Sequence, residues 1–288
     1  MAKYRKILVA YDGSSSAQSA LSLASQLARE DKSWIKVLAV VPTYAGDLEL
    51  IGIPDAKETI TGPGERILAE AKAIAHREGV HILTNLEQGE PYEQIVHVAE
   101  DENCDLIVIG RKGRHPLERE LVGAVAARVI GHTNKDVLVV PEKSRIAWNN
   151  ILLVTDGSKF GEMAAARAIE IARERRGKLF AAVAVYTNDE FVALAPEMVN
   201  QLTGEAKNIL AKVAEEAASA GVAVETFVRE GEPHEAIVGL AEALQAEVIV
   251  MGSHGRKGLT KLLMGSVTER VIGYATCPIL ICHSANRR

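Results

Sequence analysis

The chain has 288 residues, of which 48% are hydrophobic and 25% charged, with a net charge of −5 and a mean hydropathy of +0.05. That length suits two domains, each able to bury a core, and the composition excludes a disordered or collagen-like chain. The acidic balance argues against bulk attraction to nucleic acid or anionic lipid.

No apolar run reaches the roughly 18 to 20 residues of a membrane span, and Met1 to Lys6 carries charges without the apolar stretch of a signal peptide. The expectation is a cytoplasmic protein with no membrane or nucleic-acid partner. Its three cysteines, Cys104, Cys277 and Cys282, form no CxxC or Cys/His cluster and read as reduced, mostly buried thiols, so no metal site is expected from the protein alone.

The two halves repeat each other. The run Ile7 to Ser14 (ILVAYDGS) returns as Ile151 to Ser158 (ILLVTDGS), an offset of 144 residues, which is half the chain. Gly89-Glu90-Pro91 returns as Gly231-Glu232-Pro233, and Leu106 to Gly110 as Val248 to Gly252, both offset by 142. A unit of this length is a whole domain, not a solenoid repeat. The expected division is 1–146 and 147–288, with the boundary near Arg145 to Trp148.

In chain order the first half predicts strands at Ile7 to Tyr11, Ile35 to Val41, Val80 to Leu86, Leu106 to Ile109 and Val137 to Val140. Their near-continuous hydrophobicity suits parallel strands covered on both faces. Between them, Ala17 to Arg29, Glu65 to Arg77, Tyr92 to Glu100 and Ala124 to Ile130 carry apolar residues at helical spacing. The second half predicts strands at Ile151 to Thr155, Leu179 to Val185, Ala223 to Val228, Val248 to Met251 and Ile279 to Cys282. Each half is therefore a small, doubly wound α/β domain with a five-stranded sheet. Pro42 to Gly64 is long for a connection and is expected to be a lid or a partner-binding loop. The two Gly-Glu-Pro segments read as turns with proline at the first helical position.

Ligands of such sheets sit at the carboxyl ends of the strands. Asp12-Gly13-Ser14 and Asp156-Gly157-Ser158 follow the first strand of each half, and the fourth strand of the second half leads into Gly252-Ser253-His254-Gly255 and on to Gly265-Ser266-Val267-Thr268-Glu269. Glycines let backbone amides turn towards a phosphate, and a helix starting at Gly265 offers unpaired amides and a favourable dipole. Two competing local readings stand beside this one. Ser266-x-x-Glu269 is a capping box that would hold the helix end with no ligand, and Asp156 has the position of a helix cap. Neither GxxxxGK[ST] nor GxGxxG occurs, which excludes a P-loop NTPase and a standard dinucleotide binder.

The pattern G-x2-G-x9-G-S of Gly252, Gly255, Gly265 and Ser266, with an Asp after the first strand and the closing Cys277-Pro278-Ile279-Leu280-Ile281, resembles the ATP-binding signature of the universal stress protein family. The resemblance covers both halves, so the chain looks like a tandem member. It implies a Rossmann-like parallel sheet of order 3-2-1-4-5 in each half. It also implies ATP, with Mg2+, as the ligand of the second half. Asp156 and the backbone around Val183 would then face adenine and ribose, Gly252 the ribose, and Gly255, Gly265, Ser266 and Val267 the phosphates. Arg256, in the same loop, is a candidate for a terminal phosphate, its alternative being a solvated surface cation. His254 lies in the loop without an orienting acid in view.

The first half keeps Asp12, Gly110, Gly113 and Gly123, but Ala124 stands where the second half has Ser266. Pro116 stiffens its loop, Glu118 and Glu120 add negative charge, and Lys135-Asp136 replace the closing Cys-Pro. Backbone amides survive a serine-to-alanine change, so weakened binding is expected there. The resemblance further implies that edge strands pair, so the two halves would pair with each other and the whole chain could form a homodimer. The function implied is a stress-response binding module controlled by nucleotide, its protein partners unidentified. A slow ATPase or phosphotransferase and a nucleotide-free scaffold are the alternatives.

Overall fold

The computed structural model describes residues 4–43, 56–113, 122–255 and 264–283, the side chains of 56–60 excepted. The chain divides into two units, one ending at Lys143 and the other beginning at Ser144.

The first unit runs β1 (Lys6–Ala10), α1 (Ser15–Asp31), β2 (Trp34–Val41), α2 (Ala56–Arg77), β3 (Ile82–Gln88), α3 (Pro91–Asp101), β4 (Leu106–Gly110), α4 (Ala124–His132) and β5 (Asp136–Val140). All pairings are parallel, β1 lying between β2 and β4, with β3 outside β2 and β5 outside β4. The order is therefore 3-2-1-4-5. The second unit runs β6 (Asn150–Val154), α5 (Lys159–Arg175), β7 (Lys178–Tyr186), α6 (Asp189–Leu194), α7 (Pro196–Ser219), β8 (Val224–Gly231), α8 (Pro233–Ala243), β9 (Val248–Gly252), α9 (Ser266–Tyr274) and β10 (Ile279–Cys282). Its parallel pairs give the same order, β8-β7-β6-β9-β10.

The central strands are buried along nearly their whole length: Leu8, Val9, Ile107 and Val108 in one unit, and Ile151, Leu152, Leu153, Ile249 and Val250 in the other, are all fully buried. Helices on both sheet faces impose this, and each such side chain contributes about 1.5–3 kcal/mol of burial. The outer strand β3 has no fully buried residue, as befits a strand with one neighbour.

Three expectations are corrected. The third strands start later than predicted, at Ile82 and Val224 in place of Val80 and Ala223. The preceding helices claim the intervening residues: Gly79 and Gly221 turn at φ +70° and +75°, and the amides of Val80 and Val222 donate back to Ala75 O and Ala217 O at 2.9 and 2.8 Å. The predicted loop Pro42 to Gly64 is helical from Ala56 onward, with Pro63 inside α2. Gly64 faces Val41 and Leu86, where a Cβ would collide with both side chains, so helix and sheet approach closely at that point. Residues 44–55 of that predicted loop lie outside the described residues. Finally, the segment after β7 carries a short helix, α6, that apolar periodicity did not predict. It is one and a half turns long, and Asn188 caps it by accepting from the Phe191 amide at 2.7 Å.

Both Gly-Glu-Pro turns place proline first in a helix, α3 and α8, behind Gly89 and Gly231 at φ +139° and +122°. Glu90 and Glu232 cap these helices with backbone alone and pair with Arg128 and Arg270 at 3.0 and 2.9 Å. The sulfur chemistry is quiet. Cys104 and Cys282 are buried, and burial pushes the thiols of Cys104 and Cys277 up to about 11. Both therefore stay protonated near neutral pH.

One packing constraint fixes the mouth of each sheet. A Cβ on Gly252 would lie 2.8–2.9 Å from the backbone of Phe160 in α5, and one on Gly110 would meet Ser16 Oγ and the Ala17 amide of α1 at 2.5 and 2.8 Å. Glycine is required there for helix and strand to touch. Gly252→Ala is expected to lower unfolding free energy by about 1–3 kcal/mol in urea melts. Gly265→Ala should cost no more than about 1 kcal/mol, because its Cβ would meet nothing nearer than 3.5 Å.

Candidate functional site

The first turn of α5 is assembled by the residues just after β6. Gly157 takes φ +73°, the Asp156 carboxylate accepts the Ser158 amide at 3.0 Å, and Ser158 Oγ accepts the Gly161 amide at 3.2 Å. The first half builds the same turn with Gly13 at φ +78°, Asp12 accepting Ser14 N at 2.9 Å, and Ser14 Oγ accepting Ala17 N at 3.2 Å. Ser158 and Ser14 are the helix caps, so the alternative that made Asp156 a cap is set aside. Asp156 instead orients the cap and presents its second oxygen to the loop after β9. A Cβ on Gly255 would lie 2.8 Å from that oxygen, Oδ2.

The capping-box alternative for Ser266 also fails. The N-cap of α9 is Gly265, at φ −62° and ψ 140°, and no side chain caps the helix. Ser266 is the first helical residue, one place too late to reach back over the end. The amides of Ser266, Val267 and Thr268 therefore precede the first intrahelical bond, which Glu269 N donates to Gly265 O at 2.9 Å. Unpaired amides at a helix start are an anion site. The loop is held beside them: Gly265 N donates to Ser253 O at 3.1 Å, and Thr268 Oγ1 donates to Gly252 O at 3.2 Å.

These parts enclose a cleft of about 410 Å³ at the carboxyl ends of β6, β7 and β9. Its walls include Val154, Ala184 and Met251 from the strands, Pro233 and Ile237 from α8, and the polar groups of Thr155, Asp156, His254, Ser266 and Thr268. Of the residues predicted from sequence, Asp156, Gly252, His254, Gly255, Gly265, Ser266 and Val267 all line it. Val183 does not. It is buried within β7, and its neighbour Ala184 faces the cleft instead. Arg256 lies outside the described residues. Thr155, Thr268, Pro233 and Ile237 were missed. The change from Thr268 to Ala126 between the repeats, parallel to that from Ser266 to Ala124, was the available signal for Thr268.

His254 has the most telling environment. It is only 9% exposed, its Nδ1 lies 3.0 Å from Ser253 Oγ, and its ring packs against Phe160 with centroids 5.2 Å apart. Ser253 thus supplies the orienting partner not evident in the sequence. Nε2 is buried and has no hydrogen-bond partner among the described residues. An orphaned polar atom of this kind costs about 1–3 kcal/mol unless a ligand or water meets it. No group of three or more His, Cys, Asp or Glu able to hold a metal occurs among the described residues.

The first half has a larger cleft, about 600 Å³, lined by Asp12, Gly110, Gly113, Gly123 and Ala124 together with Tyr11, Lys112 and a mostly apolar wall. There too a glycine, Gly123, is the uncapped N-cap of the helix that follows.

The model of the Universal stress protein family matches residues 3–141 and again 147–283. The chain belongs to the universal stress protein family. A universal stress protein of Methanocaldococcus jannaschii is 39% identical over 139 residues, covering 46% of this chain and 81% of its own length. One of Mycolicibacterium smegmatis is 28% identical over 222 residues, spanning 75% of this chain and 73% of its own length. A universal stress protein structure from Archaeoglobus fulgidus covers 96% of this chain with a TM-score of 0.71 at 20% identity, a likeness of fold. Among the described residues, no helix of this universal stress protein is long and apolar enough to cross a membrane.

The cap assignment is checked by paired substitutions. Ser158→Ala should cost about 1 kcal/mol of stability, whereas Ser266→Ala should stay within about 0.5 kcal/mol, both read from urea denaturation.

Proposed function

We propose that the second half binds ATP with Mg2+ in the cleft at β6, β7 and β9, and that occupancy, not turnover, makes the protein a regulatory stress-response module in the cytoplasm. The observation that carries this reading is the buried, unpartnered Nε2 of His254 beside an uncapped helix start. A bound polar ligand relieves a buried atom that has no partner, and the helix start offers it amides that precede the first intrahelical bond.

The division of labour follows from chemistry. The amides of Ser266, Val267 and Thr268 and the Ser266 hydroxyl suit phosphate oxygens, whose charge the helix dipole favours. The Asp156 carboxylate suits ribose hydroxyls, as acidic residues do in other doubly wound sheets. Val154, Ala184, Met251, Pro233 and Ile237 offer an apolar bed for a base. Mg2+ would arrive with the phosphates, which are the hard oxygen ligands it prefers. Pairing of the two halves along their last strands, β5 and β10, belongs to the same proposal and rests on the family resemblance.

Calorimetry on the nucleotide-stripped protein should find ATP binding that falls at least tenfold in Gly265→Val, which places a side chain where phosphate would sit, and severalfold in His254→Ala. Affinity unchanged in Gly265→Val would overturn the assignment of this cleft.

A further inference from the structure

The two clefts share a frame but differ in how they would hold an anion. Asp12 sits in the same turn as Asp156, and a Cβ on Gly113 would lie 3.0 Å from its Oδ2, as one on Gly255 would lie near Asp156. The α4 start, like that of α9, has a glycine N-cap and no side-chain cap. Around that start, however, both hydroxyls are gone: Ala124 and Ala126 replace Ser266 and Thr268. Lys112 stands where the second half has the buried His254.

The backbone of Lys112 is pinned, its carbonyl accepting from both Ser14 Oγ and Ser16 Oγ. No described carboxylate pairs with its ammonium. The rest of the wall is apolar, with Leu38, Val40, Ile67, Ile95 and Ile109 among its members. Among the described residues, the first cleft thus offers a roomy apolar bed, a carboxylate placed for hydroxyls, and one cationic residue in its lining, Lys112, whose Cα lies beside the Gly123 helix start.

We propose that the first-half cleft is a second ligand site with its own preference, for a nucleoside monophosphate held at Lys112. The proposal rests on reading the corresponding second-half cleft as a nucleotide site. One lysine with the helix amides balances a single phosphate. A triphosphate brings several more charges to an end that has lost the Ser266 hydroxyl donor, so the longer chain is disfavoured. A lysine contact is a point charge, so this binding is salt-sensitive in a way that hydroxyl contacts are not.

The test uses the full-length chain carrying Gly265→Val, which closes the second cleft, and titrates AMP and ATP by calorimetry at low and high salt. One AMP site is expected, with AMP tighter than ATP. Adding Lys112→Gln should weaken AMP at least tenfold and flatten the salt dependence, while Lys112→Arg should retain most of the binding. Thermal melts of each variant establish that the fold is kept. Absence of AMP binding, a tighter ATP, or an AMP affinity indifferent to Lys112→Gln would overturn the proposal. Failure of the second-half reading has a separate signature: Gly265→Val would then leave ATP binding of the parent chain unchanged, and Lys112→Gln would still decide the first cleft.

Discussion

The whole site depends on the contact between the first turn of a helix and the end of the strand beside it. Gly252 and Gly110 allow α5 and α1 to press their backbones onto β9 and β4 at distances no other residue tolerates. With that contact made, the Asp-Gly-Ser turn must cap its helix within three residues, and it does so through one carboxylate and one hydroxyl. The carboxylate is thereby fixed against the glycine loop. Packing, capping and the polar end of the cleft are consequences of a single close approach.

The duplication supplies its own comparison. Features that build the frame are present twice: sheet order, the Asx turn, the proline-led helices, and the Glu90–Arg128 and Glu232–Arg270 pairs. Even an aromatic contact recurs with its partners exchanged, Tyr92 on His132 in one half and His234 on Tyr274 in the other. The clefts differ at the Ser266, Thr268 and His254 positions, and at Thr155, which Tyr11 replaces in the first half. A frame kept and a binding end altered is what two sites of differing preference require. The first cleft is open, at about 600 Å³, which is the ground on which a second site is proposed there.

The fold was legible because buried parallel strands are apolar almost throughout and the repeat doubled every signal. Boundaries were less so where glycine caps such as Gly79 and Gly221 draw apolar residues into a helix end. Within the site, glycine spacing located the loop, but it could not tell a phosphate glycine from a packing glycine. Gly252 is needed for the Phe160 contact whatever the cleft holds. Nor could spacing decide the role of Ser266, since a serine at the cap and one residue inside it look alike in sequence. The backbone angles of Gly265 make that distinction. The family resemblance pointed to the backbone around Val183, and the residue of β7 that lines the cleft is the adjacent Ala184.

The most direct test of the account is a nitrogen-15 and carbon-13 NMR titration of the stripped protein with Mg2+ and ATP. The largest shifts should fall on the amides of Ser266, Val267 and Thr268 and on Nε2 of His254, with Asp156 moving as well. Perturbations confined to residues away from α9 and the β9 loop, with the His254 ring unmoved, would contradict it.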